Sequence, residues 1–182
     1  AIKSRWIGDL LLACDQPVHE VDSRNIVPAR VVSDRREFMA RTIRPKIKRL
    51  LPEFLDEFPI LDPHPHPWPT AAASQRPSSL SSGIPNKGRR QSLVARPGEA
   101  AGMDLVRQFL KDRLPRYLER NDPNRDVCSN LSAHLHFGMI CAQRVALETL
   151  ALAPAGDQTD AFLEELIVRR ELSDRSEERR VG

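Results

Sequence analysis

Cysteine and aromatic residues are scarce in this 182-residue sequence. Aromatic side chains account for 5% of it, with one tyrosine and two tryptophans. The three cysteines, Cys14, Cys128 and Cys141, form neither a C-x-x-C pair nor a cluster with histidine at zinc-binding spacing. We therefore expect reduced, buried thiols in an intracellular protein and no metal site.

Long apolar runs are also missing. The apolar stretch at 7–13 is interrupted by Asp9 and flanked by Arg5 and Asp15, so neither a membrane span nor a signal peptide is predicted. The sequence does not begin with Met, and we expect its N-terminus not to be the native one. Basic residues exceed acidic ones only slightly, which gives a net charge of +3. This charge permits a nucleic-acid partner but does not indicate one.

Residues 1–58 have the composition of an ordered α/β segment. Three β-branched pieces broken by Asp, Asn and Pro predict strands and loops, at 18–21, 25–28 and 30–32. Ser33 or Asp34 is then expected to cap a helix.

The predicted helix carries apolar residues at helical spacing. They form one face, made of Ile43, Ile47, Leu50, Leu51, Phe54, Leu55 and Phe58. Pro45 and Pro52 are expected to kink or divide it.

Residues 59–97 differ in composition. They contain eight of the fifteen prolines and a serine cluster at 78–82. Such a segment cannot bury enough apolar surface to order itself, which predicts an interdomain linker. His64 and His66 are interpreted as incidental residues of this connector rather than metal ligands.

Residues 98–174 are predicted to be helical throughout. Leu105, Phe109, Leu114 and Leu118 mark one helix, strained by Pro115. Two further amphipathic segments follow, one over 140–152 and one from about Asp157. The last eight residues, 175–182, break every earlier pattern, and we expect them to be a non-native tail.

Serines near a predicted helix start are the first candidates for binding chemistry. Ser129 or Ser132 can cap the helix that follows, and free N–H groups together with hydroxyl donors there suit a phosphate. Plain capping is the more common explanation of such a pattern. Arg116, Tyr117 and Arg120, with Asn121 beside them, can bring two cations and a phenol towards one anion, or simply form a solvated basic face.

Glu165 and Arg169 are four residues apart, so they share a helix face and can pair. An exposed pair of this kind stabilises a helix by only about 0.3–0.5 kcal/mol. Spacing alone therefore gives this pair no functional meaning.

Six ordered stretches carry a more specific signal. They read VHEVDSRNIVP (18–28), RTIRPKI (41–47), RNDP (120–123), LSAHLHFG (131–138), AQR (142–144) and FLEELIVRREL (162–172). Together they resemble the class II cyclobutane pyrimidine dimer photolyases, in the family's order and with a linker between the second and the third. The family pattern has other residues at three positions, which here are Ala133, Met139 and Cys141.

The resemblance implies two domains and a cofactor. Residues 1–58 would be the end of a doubly wound, Rossmann-like α/β domain, and 98–174 the start of an all-helical FAD-binding domain. FAD would be held by Tyr117, by the segment Cys128, Ser129, Asn130, Leu131 and Ser132, and by Arg169. Arg120 and Glu165 would meet the DNA or its dimer.

The implied function is light-driven, FAD-dependent splitting of pyrimidine dimers in damaged DNA. The dimer is flipped out of the duplex, and a carboxyl group such as Glu165 can hydrogen-bond its carbonyls. A monomer without membrane contact is expected, and the sequence leaves the antenna chromophore open. Half of a flavin pocket would leave the 182-residue chain inactive alone. Two alternatives remain: a cryptochrome-like photoreceptor and a non-enzymatic helical interaction module.

Overall fold

Helices and loops make up the whole described part of this computed structural model. It describes residues 2–19, 21–35, 37–60, 62–63, 65–66 and 96–177, and contains no strand among them. The first segment holds three helices: α1 (Ile2–Ala13), α2 (Ala29–Val32) and α3 (Ala40–Phe54).

The second segment begins with α4 (Glu99–Asp112), followed by a 3-10 helix (Leu114–Asn121). The short helix α5 (Ser132–His136) and the longer helix α6 (Ala142–Leu152) come next. The chain then runs without a break through α7 (Asp157–Leu163), a π-helical stretch (Glu164–Arg169) and α8 (Arg170–Glu177). The prediction of a helical second segment is confirmed for the described residues.

The predicted strands are wrong: residues 30–32 form the single turn of α2, and the described residues at 18–21 and 25–28 form no strand. The loop before α2 is organised by Asp22 instead of by strand pairing. Its carboxylate accepts hydrogen bonds from the backbone N–H groups of Arg24, Asn25 and Ala29, at 3.0, 3.1 and 3.0 Å. Burial alone would raise the pKa of this carboxyl, but the N–H donors lower it below its usual range.

The predicted cap at Ser33 or Asp34 is also wrong. Helix α3 begins later, at Ala40, after Met39, whose side chain makes no capping hydrogen bond. Ser33 instead ends α2, and its hydroxyl donates to Glu37 at 3.0 Å. Helix α3 is not divided: it continues from Ala40 to Phe54 with both Pro45 and Pro52 inside it.

One hydrophobic core joins the two segments. Ile43 and Ile47 of α3 are fully buried, as are Val106 and Phe109 of α4 and Val145 of α6. Residues up to Asp56 and from Pro97 onward accordingly belong to one compact unit, while residues between Glu57 and Arg96 form another. The domain boundaries proposed from composition stay predictions.

Several predictions fall on undescribed residues. Most of the linker at 59–97, including His64, lies outside the described part of the chain, as do residues 178–182 of the expected tail. His66 is exposed. None of the described helices is long and apolar enough to cross a membrane.

Candidate functional site

An aromatic cluster fixes the position of the 3-10 helix. Tyr117 is buried and meets Phe109 of α4 and Phe162 of α7 edge to face, with ring centroids 5.7 and 5.5 Å apart. Phe109 and Phe162 in turn lie 4.7 Å apart. Pro115 stands near the start of this helix, where its missing N–H removes no helical bond. The ring of Tyr117 therefore anchors the 3-10 helix to the core. The opposite face of this helix points away from the core and can carry charged side chains.

Arg120 and Glu165 come together beside this cluster. The guanidinium carbon of Arg120 lies 5.1 Å from the centre of the Tyr117 ring, and its Nη2 atom lies 3.4 Å from Oε1 of Glu165. About a quarter of the Arg120 side chain and 37% of the Glu165 side chain remain exposed. A cation, a carboxylate and a phenol thus share one partly open position, although 45 residues separate the two charged groups.

Cys128 lies within electrostatic reach of the same phenol. Burial raises the pKa of Tyr117 above its usual value, the Arg120 cation opposes that shift, and Glu165 and Cys128 add to it. The structure therefore brings together three of the residues predicted from the sequence: Tyr117, Arg120 and Glu165. Tyr117 stays a neutral hydrogen-bond donor under ordinary conditions.

Arg169 does not join this group. It is exposed, and within the described residues the ion pair of Glu165 is made with Arg120 rather than with Arg169. The expected pairing at a four-residue spacing is therefore not observed. The stretch that contains both residues is π-helical, with the N–H of Arg170 donating to the carbonyl of Glu165 five residues earlier.

The segment from Cys128 to Ser132 is held by two buried side chains. Val127 and Leu131 are 2% and 1% exposed, whereas Cys128, Asn130 and Ser132 are exposed and Ser129 is half-buried. Asn130 adopts a left-handed backbone conformation with φ of 59°, which asparagine tolerates better than most residues. The buried pair and this turn leave the polar side chains of the segment facing outward.

The capping role predicted for Ser129 or Ser132 is wrong. Ser132 is the first residue of α5, which has no side-chain cap and is only five residues long. A helix this short supplies little field at its N-terminus, so an anion here would depend on side chains. A capping contact occurs instead at α6, where Sγ of Cys141 accepts from the N–H of Arg144 at 3.5 Å.

Ser132 lines a shallow, open hollow of about 490 Å³. Its other polar lining residues are Arg24, His136, Arg170 and Ser173, and Ala133, Leu135 and Phe137 supply its apolar part. Nε of Arg170 donates to the backbone carbonyl of Arg24 at 3.3 Å, which ties α8 to the loop before α2. Two cations and two hydroxyls suit an anionic ligand.

Sequence reasoning missed Arg24 and Arg170 as members of this site. Both residues stand inside the stretches that carried the family resemblance, at 18–28 and 162–172. Their proximity depends on how α8 packs against the loop, which no local pattern reveals. Arg170, rather than the neighbouring Arg169, is the arginine that lines the hollow. The described residues contain no group of three side chains able to hold a metal ion.

Comparisons with known proteins give one consistent result. No family model matches the chain. The chain is 38% identical over 176 residues to a deoxyribodipyrimidine photo-lyase of Potorous tridactylus. The matched region covers 94% of this chain and 33% of that relative. The chain is 43% identical over 169 residues to one of Arabidopsis thaliana, covering 86% of this chain and 34% of the relative. The chain thus spans about one third of the length of the relatives it matches.

Proposed function

Because the chain is a homologue of the deoxyribodipyrimidine photo-lyases over about nine tenths of its length, we propose that it contributes part of a light-driven enzyme that splits cyclobutane pyrimidine dimers in DNA. The observation that carries this proposal is the pairing of Arg120 with Glu165 beside Tyr117. The resemblance of the sequence to this family had already pointed to Tyr117, Arg120 and Glu165, and their proximity supports that assignment.

The class within the family is proposed on narrower support. The motifs quoted above are worded as in class II enzymes, which favours that class. The same resemblance supports a doubly wound α/β origin for residues 1–58, with the described helices α1 to α3 as its final part. On the same resemblance, we propose that the protein acts on damaged DNA inside the cell as a monomer.

FAD is the cofactor that this function requires, and the hollow offers a fitting donor set. Its two guanidinium groups and two hydroxyls, from Arg24, Arg170, Ser132 and Ser173, suit a diphosphate. We propose that they hold FAD together with Tyr117 and residues 128–132, with Arg169 at the margin. The chemistry that FAD supplies when bound is a light-driven electron transfer, which opens the cyclobutane ring.

The dimer must leave the duplex before it can approach the flavin. Flipping costs a few kcal/mol, and it is least costly for a damaged, poorly stacked base. In the proposed mechanism Glu165 hydrogen-bonds the flipped dimer, and Arg120 contacts a neighbouring phosphate. Without DNA the two side chains compensate each other's charge across 3.4 Å. Binding of DNA exchanges this long ion pair for contacts with the substrate.

The proposal is tested by expressing the complete open reading frame from which this chain comes. An absorption spectrum reports bound flavin, and dimer-containing DNA is assayed for repair in light and in darkness. Bound flavin with repair only in light supports the proposal. Flavin without repair would favour a photoreceptor, and absence of flavin would reduce the relationship to one of ancestry.

A further inference from the structure

Two successive carboxylates in the π-helical stretch are held by arginines from different elements. Glu165 faces Arg120 of the 3-10 helix, with a shortest N–O separation of 3.4 Å. Its neighbour Glu164 faces Arg44 of α3, whose Nε donates to Oε1 at 2.8 Å. The contact of Glu164 is the shorter one, and it spans 120 residues of sequence.

The carboxylate of Glu164 is also less exposed to solvent than that of Glu165. The Glu164 side chain is 20% exposed, against 37% for Glu165. Water screens such a partly buried pair less than an exposed one, and a guanidinium group fixes the direction of its hydrogen bonds. The long contact between Arg120 and Glu165 cannot by itself fix the direction of the Glu165 side chain.

The backbone around these carboxylates is unusual. A π turn carries an extra residue compared with an α turn, which costs hydrogen-bond geometry and commonly marks a functional site. Here its signature bond joins the N–H of Arg170 to the carbonyl of Glu165 itself. Relaxation of this turn to α-helical pairing would rotate the residues around it about the helix axis. A contact with another element is therefore needed to hold the residues of the turn at their observed rotation about the helix axis.

We propose that Arg44 is a positioning residue for Glu165: by holding Glu164, it fixes the rotation of the π-helical stretch so that Glu165 points at Arg120. Arg44 touches no substrate in this arrangement and acts only through the helix. Its part in DNA repair rests on the proposed function, whereas its hold on the π turn does not. Buried Leu166, Ile167 and Val168 anchor the same stretch to the core, and the experiment must separate their contribution from that of Arg44.

The first test needs no activity. Amide hydrogen exchange of the Arg170 N–H reports opening of the π turn. In the product of the complete reading frame, Arg44→Gln is expected to speed this exchange about tenfold. Arg41→Gln, an exposed arginine on the same helix, serves as the matched control and should leave it unchanged. Equal protection in both variants would show that the apolar anchors suffice, and the proposal would fail.

The second test separates positioning from general stability. Arg44→Gln alone is expected to weaken binding of dimer-containing DNA about tenfold, with flavin content unchanged. In a Glu165→Ala background it should add nothing further, because its effect passes through Glu165. The charge exchange Arg44→Glu with Glu164→Arg should restore binding. Additive losses would overturn the proposal, whereas loss of repair in the unsubstituted protein would overturn the proposed function instead.

Discussion

Glu165 owes its surroundings to residues far away in the sequence. A guanidinium group stands opposite its carboxylate, a buried phenol lies behind that guanidinium, and the adjacent Glu164 is tied to α3. An ordinary exposed pair of Glu165 with Arg169 would have had little consequence for function. The observed pair with Arg120 leaves both groups open enough to exchange each other for a ligand.

Substitution of Glu165 tests its proposed contact with the dimer. Glu165→Ala removes every hydrogen bond of the side chain and should lower light-driven repair about 100-fold, in line with the loss of one well-placed stabilising group. Glu165→Gln keeps the length of the side chain and one acceptor oxygen and adds an N–H donor, and it should retain most of the repair. Rates of dimer loss under constant illumination measure both. Equal activity of the alanine variant and the unsubstituted protein would remove Glu165 from the site.

Glu37 is a second residue whose charge the fold stabilises. Its carboxylate accepts hydrogen bonds from the hydroxyls of Ser33 and Thr42 and from the ammonium group of Lys46. Led by the Lys46 contact, these donors lower the pKa of Glu37 to about 2. The cluster ties the loop before α3 to the first two turns of that helix.

A lowered pKa makes stability depend on pH in a defined direction. The contribution of Glu37 should be complete above the ordinary glutamate pKa of 4.5 and should disappear as the pH falls through about 2. Glu37→Gln is therefore expected to lower the free energy of unfolding at pH 7 and to match the unsubstituted protein near pH 2. Urea unfolding across this range measures the difference. Glu53→Gln, exposed on α3, is the control. A constant effect of Glu37→Gln at all pH values would contradict the assignment.

At the scale of elements, α4 packs closely against its neighbours at Gly102. A Cβ atom on Gly102 would lie 2.7 Å from Cγ2 of Ile140 and 3.0 Å from Cδ2 of His134. The first distance is shorter than real Cβ contacts and the second is tighter than most of them, and both neighbours are buried. Glycine at this position therefore serves close packing of α4 against the chain around α5.

Gly102→Ala sets helix propensity against packing. Alanine gains up to about 1 kcal/mol of helix propensity over glycine. Overpacking a filled core costs about 1–3 kcal/mol, so we expect a net loss of about 1 kcal/mol in the free energy of unfolding. The control is Gly8→Ala in α1, where a Cβ would meet nothing within 4 Å and a gain of up to about 1 kcal/mol is expected. Urea unfolding measures the stability of the two variants. A higher free energy of unfolding at both positions would show that the core accommodates the extra methyl group at Gly102, which would contradict the prediction.

For the whole molecule, the relevant quantity is the apolar surface left uncovered. Trp6 is 66% exposed, Leu12 91% and Phe137 71%, and Phe137 borders the hollow proposed for FAD. Large exposed apolar side chains commonly mark surfaces that meet another part of a protein. The relatives are about three times as long as this chain, so their remaining length is available for such contacts.

The 182-residue chain alone is accordingly expected to bind FAD weakly or not at all. A shallow hollow cannot bury most of a dinucleotide, whereas tight ligand sites enclose most of the ligand surface. Fluorescence titration of the purified chain with FAD measures the affinity. The product of the complete reading frame is the comparison and should retain flavin through purification. Stoichiometric flavin copurifying with the short chain would refute this expectation.

Local sequence patterns predicted the helices well where an element is long and periodic. The apolar spacing of Ile43 and Ile47 and the start near Asp157 both correspond to observed helices. Short pieces failed, because the β-branched run at 30–32 satisfies a strand pattern, while its backbone follows Pro28 into one helical turn. For so few residues, propensity is weaker than the hydrogen bonds that Asp22 imposes on the loop.

Residue types and motifs were enough to identify the side chains chemically suited to the site and the family that they resemble. Which of these side chains meet depends on tertiary packing. Arg120 and Glu165 are 45 residues apart, and Arg44 and Glu164 are 120 apart, so no periodicity connects them. Packing of buried apolar faces sets these distances, and an ion pair forms where that packing brings opposite charges together. For this reason Glu165 contacts Arg120 rather than Arg169, the partner that the four-residue spacing predicted.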